Sequence, residues 1–138
     1  MNIVIDSSIL VSSFGLDKFT PQANIFIEKL IKNTDYIIII PTLVIAETIT
    51  VVSRIVPKPD LLEIQRYLNL FQTVGLDTNF IDEMTDFFSS NSSLLKTSDL
   101  VIALTAKLHS ATLITWDAQL LSQNICRVTS PENFLCQK

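Results

Sequence analysis

Four carboxylic acids, Asp6, Glu47, Asp99 and Asp117, are the residues of this chain whose type and spacing could do chemistry. Asp6 ends the apolar run Ile3-Val4-Ile5, and Asp117 follows Ala111-Thr112-Leu113-Ile114-Thr115, a short run rich in β-branched residues. Both read as acids delivered by the ends of buried strands. Glu47 interrupts an apolar helical stripe of Leu43, Val44 and Val51, and Asp99 falls in the first turn of a helix that begins near Thr97-Ser98. Carboxylates gathered in one place have no acid–base logic by themselves, because like charges raise one another's pKa and keep some of them protonated. Divalent Mg²⁺ or Mn²⁺ resolves the repulsion, since hard cations prefer oxygen ligands and Mg²⁺ keeps waters that can react. A metal-activated water can attack a phosphodiester in line.

Each acid also has a plainer reading. An Asp after a strand is often only a turn or cap residue, and Glu47 at the rim of its helix would simply be solvated. Against the rim, the apolar stripe continues on both sides of Glu47. Arg54 is two turns away, about 10 Å along the axis, too far for a direct pair. A buried, ionised Glu47 therefore needs an external cation or it protonates.

The elements that must position these acids follow from periodicity. The stretch 97–117 is one complete unit: a helix with Leu100, Val101, Leu104 and Leu108 along a wide apolar stripe and Asp99, Ala103 and Ala106 along a narrow face, then a strand at 111–115. Thr97 and Ser98 are hydroxyl residues suited to its start, and it gives out near His109-Ser110. Earlier, a strand at 2–5 leads to Ser7-Ser8, which can cap a short helix at 9–14. A helix at 20–31 follows, with Ile25, Phe26, Leu30 and Ile31 apolar and Pro21 in its first turn. A strand at 36–40 ends at Pro41, and Thr42 stands as the cap of a helix running to 55. Helices at 60–71 (Leu61, Ile64, Leu68 and Phe71 inward) and 79–89 (Phe80, Met84, Phe87 and Phe88) flank a short strand at 73–76. After Asp117 come a helical turn at 119–122, a last strand at 126–128 and a capped turn at 130–134.

Apolar strands joined by crossover helices, with no hairpin signals, predict a three-layer α/β/α arrangement with a parallel sheet covered on both faces. Asp6 and Asp117 then lie at the sheet's carboxyl edge, where open α/β sheets bind ligands. All four acids can face one crevice. The chain reads as a single domain, 1–138, without repeats or linkers.

Composition narrows the function. The chain has 138 residues, 48% of them apolar, only two glycines and a mean hydropathy of +0.40, which suits a compact α/β domain and not a disordered one. The run 36–46 is broken by Pro41 and Thr42 and is far short of the roughly 20 residues of a membrane span. The N-terminus carries an acid at position 6 and no basic region, so it does not read as a secretory signal. Cys126 and Cys136 lack metal-type spacing and read as reduced packing residues of a cytoplasmic protein. The net charge of −4 and pI near 4.8 argue against the basic footprint of a nucleic-acid binder. A phosphate substrate is permitted if the acid excess is concentrated in one site and metal comes with it.

The residues resemble the PIN domain (PilT N-terminal) family, the fold of VapC-type toxins and other metal-dependent ribonucleases. The matching segments are Ile-Val-Ile-Asp-Ser-Ser at 3–8, Ile-Ala-Glu-Thr at 45–48, Ser-Asp-Leu-Val-Ile-Ala at 98–103, Leu-Ile-Thr-Trp-Asp at 113–117 and Ser-Pro-Glu-Asn-Phe-Leu at 130–135. Each is a weak pattern alone, and their order and spacing together are specific. The resemblance implies a central sheet of about five parallel strands. It also implies that Asp6, Glu47, Asp99 and Asp117 are catalytic acids binding Mg²⁺ or Mn²⁺, with Thr115 as a supporting hydroxyl beside the last of them and Ser7 beside the first. The activity implied is an endoribonuclease, the toxin of a pair with a protein antitoxin. The alternatives are a PIN-fold module that binds RNA or protein without cutting, and a stand-alone RNA-processing nuclease. Two features depart from the family pattern: Leu120 stands where an aromatic is common, and the ten basic residues form no cluster. The large side chains predicted on the helices at 60–71 and 79–89 exceed what one small core needs, so a homodimer is expected.

Overall fold

The computed structural model describes residues 1–136. Its sheet has five strands, β1 (Asn2–Ile5), β2 (Ile37–Pro41), β3 (Gln72–Val74), β4 (Thr112–Ile114) and β5 (Val128–Thr129), in the order β3-β2-β1-β4-β5. Every pairing is parallel. Helices α1 (Ser7–Phe14), α2 (Thr20–Lys32), α3 (Thr42–Ile55), α4 (Leu61–Leu68), α5 (Thr78–Ser90), α6 (Thr97–Leu108), α7 (Ala118–Leu121) and α8 (Pro131–Cys136) complete the three-layer α/β/α fold. The central strands show no polar alternation because helices cover both faces: Ile3, Val4, Ile5, Ile39, Ile40, Leu113 and Ile114 are all buried.

From β1 the chain builds outward through β2 and β3 on one side, then returns to place β4 and β5 on the other. The switch therefore falls between β1 and β4, and a crevice opens beyond their carboxyl ends.

Helix packing explains where the sequence pattern misled. In α2 the buried residues are Ala23, Phe26, Ile27 and Leu30, whereas Ile25 and Ile31 are exposed. Ala23 completes an i, i+3, i+4, i+7 stripe that the larger isoleucines obscure. In α6 no polar face exists between Leu100 and Ala106, since all seven residues are buried. Ile102, Ala103 and Ala106 join the main core, while Leu100, Val101 and Leu104 meet Phe80, with Met84 and Phe87 packed alongside. The small residues let α6 approach the sheet closely, and α5 covers its other side. Leu108, assigned to the apolar stripe, is exposed. The helix ends at Leu108; beyond it Ser110 takes a left-handed backbone (φ 49°), and Ala111 N–H reaches back to Ala106 C=O at 2.8 Å.

Element ends also shift. Asp60 caps α4 through Glu63 N–H, so that helix starts at Leu61 and stops at Leu68, short of Phe71. β5 lies at Val128–Thr129, later than the expected 126–128, because Leu113 pairs with Val128 and Ile114 with Thr129. No helix among the described residues is long and apolar enough to cross a membrane.

Candidate active site

The register of the two central strands builds the site's floor. Ile5 pairs with Ile114, so Asp6 and Thr115 emerge side by side, and Asp6 N–H donates to Ile114 C=O at 3.1 Å. Asp6 is only 4% exposed, yet its carboxylate is held by donors. Its Oδ2 accepts from Thr115 Oγ1 (2.7 Å), Ser8 Oγ (2.7 Å) and Ser8 N–H (3.4 Å). Ser7 Oγ reaches Oδ1 at 3.4 Å. Asp6 is thus the N-cap of α1, which starts at Ser7 and not at Ile9. The cap reading of Asp6 therefore holds through Oδ2, which is occupied, while Oδ1 retains acceptor capacity.

Glu47 comes from α3. The side chains this helix buries are Val44, Ile45, Thr48 and Val52, one position round from the expected stripe of Leu43, Val44 and Val51. Glu47 is therefore half-buried at the helix edge, facing the crevice beside Val51. Burial is the main cause that pushes its carboxyl above the usual range. The Ser7 hydroxyl opposes that shift, Asp6 and Asp99 add to it, and the Ser98 hydroxyl opposes it again.

Asp99 is half-buried in the first turn of α6. Thr97 and Ser98 do not cap this helix: the N-cap is Lys96, without a side-chain cap bond, just as Pro41 rather than Thr42 occupies that position in α3. The Ser98 hydroxyl turns to Glu47 instead. Burial, then the charges of Asp117 and Asp6, push the Asp99 carboxyl up against the weaker counter-effect of Lys96.

Asp117 caps α7. Its Oδ1 accepts from Gln119 N–H (2.8 Å) and Leu120 N–H (3.0 Å), which leaves Oδ2 for a ligand. Its own N–H donates to Thr115 Oγ1 at 2.9 Å. Thr115, with no exposed surface, therefore joins Asp6 to the Asp117 backbone. Leu120, where the family pattern often has an aromatic, is a buried core residue.

All four acids line one open crevice of about 560 Å³, together with Ser7, Ser8 and an apolar wall that includes Val11 and Val51. No lysine or arginine is among the lining residues. Among the described residues, no three His, Cys, Asp or Glu side chains sit together as a ready-made metal cage. The donor set fits Mg²⁺ or Mn²⁺ in a different way: carboxylate oxygens spread around an open crevice suit an ion that keeps several waters and takes few protein ligands. Burial is the first cause of both the Glu47 and the Asp99 shift, and neighbouring acids add to it.

Sequence reasoning assigned Ser8 and Ser98 only to helix capping and gave Trp116 no role beyond the motif. Ser8 Oγ holds Asp6 and also accepts from Trp116 N–H at 3.3 Å, tying the two site loops together. Only the register of β1 and β4 brings these segments together, and local sequence carries no signal for it.

The family model for the PIN domain matches residues 3–124. No curated protein matches the chain in sequence. Among solved structures, the chain is similar to VapBC2 from Rickettsia felis bound to a DNA fragment from its promoter (20% identity, TM-score 0.64, 94% of this chain and 98% of that one). It is also similar to a toxin–antitoxin complex from Klebsiella pneumoniae (18% identity, TM-score 0.68, 94% and 97%). A further likeness is to VapC20 of Mycobacterium tuberculosis, a Sarcin-Ricin loop cleaving toxin (10% identity, TM-score 0.68, 91% and 98%). At these identities the likeness is one of fold.

Proposed function

Because the chain belongs to the PIN domain family, we propose that it is a Mg²⁺- or Mn²⁺-dependent endoribonuclease of the cytoplasm, the toxin of a toxin–antitoxin pair. The observation that carries the reading is the convergence of Asp6, Glu47, Asp99 and Asp117, from four separate elements, on one crevice with no basic side chain in its lining. Such a site repels a phosphodiester until divalent cation neutralises it.

A bound Mg²⁺ or Mn²⁺ supplies a nucleophilic water at neutral pH and charge for the leaving oxygen. The chain's own residues do the rest. Ser8 and Thr115 fix the Asp6 carboxylate, so Oδ1 is presented without rotamer freedom. Capping of α7 fixes Asp117 and leaves Oδ2. Glu47 and Asp99 complete the set of oxygen ligands, and the Ser7 and Ser98 hydroxyls favour the ionised form of Glu47 that a cation requires. Hydrolysis then forms a bond from water oxygen to phosphorus and breaks the bond to the departing ribose oxygen.

A protein antitoxin is the natural partner of such an enzyme, and the similar toxin–antitoxin complex from Klebsiella pneumoniae supports this reading. The scarcity of basic residues favours a second reading, a PIN-fold module that binds without cutting. Incubation of the purified protein with a structured RNA separates the two. Cleavage in Mg²⁺ or Mn²⁺ that stops in EDTA is expected, and intact RNA in both metals would overturn the nuclease reading.

A further inference from the structure

Outside the crevice lining is an aromatic pair that the acid site does not use, one ring of it a single residue along the chain from Asp117. Phe19 and Trp116 have ring centroids 5.2 Å apart with planes tilted by 30°. Trp116 sits between Thr115 and Asp117 in the chain, so its Cα is about 3.8 Å from that of Asp117. Its Nε1–H forks onto Glu132 Oε1 and Oε2 at 3.0 and 3.2 Å, which fixes the indole from the side of α8. Burial alone would push the Glu132 carboxyl up. Bonds from its own backbone N–H, Trp116 and Ser130 outweigh burial and hold it below the usual range, as an ionised acceptor.

Phe19 is fixed from the other side. Its N–H donates to Asp17 Oδ1 at 2.7 Å, and Asp17 Oδ2 accepts from Ser12 of α1 at 2.9 Å. The Asp17 N–H in turn donates to Thr20 Oγ1 at 3.1 Å. The Phe19 side chain remains 41% exposed on this loop. Lys18 extends its ammonium over the Phe19 ring, 5.0 Å from the centroid. The result is a part-exposed π surface with a cation on it, near a crevice whose lining holds no lysine or arginine.

We propose that Phe19 and Trp116 form the platform on which a base flanking the scissile phosphate of single-stranded RNA stacks, with Lys18 leaving the Phe19 ring to meet an adjoining phosphate. This rests on the ribonuclease reading for the position of the scissile bond, and the platform itself on the ring geometry. Stacking on aromatic faces is how single strands are held without dense positive charge, and it tolerates any base. It accounts for RNA recognition by a chain of net charge −4. Phe19 and Lys18 are positioning residues in this scheme and touch no reacting atom.

Trp116 is the only tryptophan, so its emission reports directly on the platform. The protein is titrated in millimolar Ca²⁺ with a single-stranded oligouridylate and with an abasic ribose-phosphate oligomer of the same length and charge. Quenching by the base-containing strand alone is expected, with affinity falling about tenfold in Phe19→Ala and the abasic oligomer unaffected. Equal affinity and equal emission change with the two oligomers would overturn the platform. In Mg²⁺ or Mn²⁺, Phe19→Ala should raise KM about tenfold for cleavage of a single-stranded substrate and leave kcat within about twofold. Phe19→Leu keeps the bulk without the π face and should match Phe19→Ala; wild-type KM in Phe19→Leu would reduce the ring to packing and reject the proposal. Base-selective quenching without cleavage of any RNA would remove the ribonuclease reading and keep the platform. Cleavage with wild-type KM in both variants would do the reverse.

Discussion

Thr115 and Asp6 lie 109 positions apart in the chain, and the Thr115 hydroxyl donates to Asp6 Oδ2 at 2.7 Å in a fully buried contact. Thr115 Oγ1 also accepts from Asp117 N–H, so one hydroxyl ties Asp6 to the Asp117 backbone. Thr115→Val preserves shape and removes both bonds. It should destabilise the protein by about 1–3 kcal/mol, the range for leaving a buried polar group short of a partner. Thr115→Ser should recover most of the loss. Chemical denaturation checks this, and a valine variant as stable as wild type would mean that Asp6 is satisfied without Thr115.

The elevated carboxyls of Glu47 and Asp99 make a pH prediction for the metal-free protein. Burial first, then neighbouring acids, raise both in the folded state. A raised group contributes stability that is present below its unfolded pKa and lost as pH rises through its folded pKa. In EDTA the melting temperature should therefore increase as pH falls from neutrality toward the upper edge of the carboxylate range. It should fall again at lower pH, where Glu132, held below that range, begins to protonate. The double variant Glu47→Gln/Asp99→Asn should flatten the rise, and an unchanged slope in it would assign the effect elsewhere.

Glu47 also separates a ligand from a bystander. Removing its charge relieves desolvation and repulsion, so Glu47→Gln should melt at or above wild type in EDTA. In millimolar Mn²⁺ the order should reverse, because an ion bound only to the native state adds RT ln(1 + [L]/Kd), about 2.7 kcal/mol at a hundredfold excess over Kd. Equal Mn²⁺-induced shifts in both proteins would reduce the four-acid set to three.

Outer apolar surface carries the expectation of a homodimer. Leu62 on α4 and Ile81 and Phe88 on α5 remain exposed after the core is complete. Singly exposed apolar residues are ordinary, and a dimer through these two helices would cover several of them together. Light scattering at micromolar protein should give twice the mass of the 15.5 kDa chain. A monomer in the absence of any partner would contradict it.

The parts of the architecture that the sequence made legible were those governed by local pattern. Continuous apolar strands announced a buried parallel sheet, and Asp6 and Asp117 fell at strand ends by simple counting. What local pattern could not carry was competition between equivalent roles. Asp6 outcompetes Ser7 and Ser8 for the cap of α1 because its carboxylate is already held at the β1 end by Thr115, a partner visible only after β1 and β4 pair. Lys96, and neither Thr97 nor Ser98, holds the cap position of α6, which the hydroxyl pair in the sequence does not announce. The α2 stripe was misread because small Ala23 marks the buried face as surely as Phe26 does, while Ile25 and Ile31 face out. Where side chains choose between a local and a distant partner, the distant partner wins when it is buried, and distance in sequence hides it.

The central claim is that the acids drive metal-dependent cleavage of RNA, and Asp99 tests it most directly. It lies in the first turn of α6, caps nothing, and Asn replaces it without change of size. Turnover of a structured RNA by purified Asp99→Asn in Mg²⁺ should fall to the level of wild type in EDTA, while its melting temperature in EDTA is unchanged or higher. Near-wild-type turnover by the variant in Mg²⁺ would contradict the account.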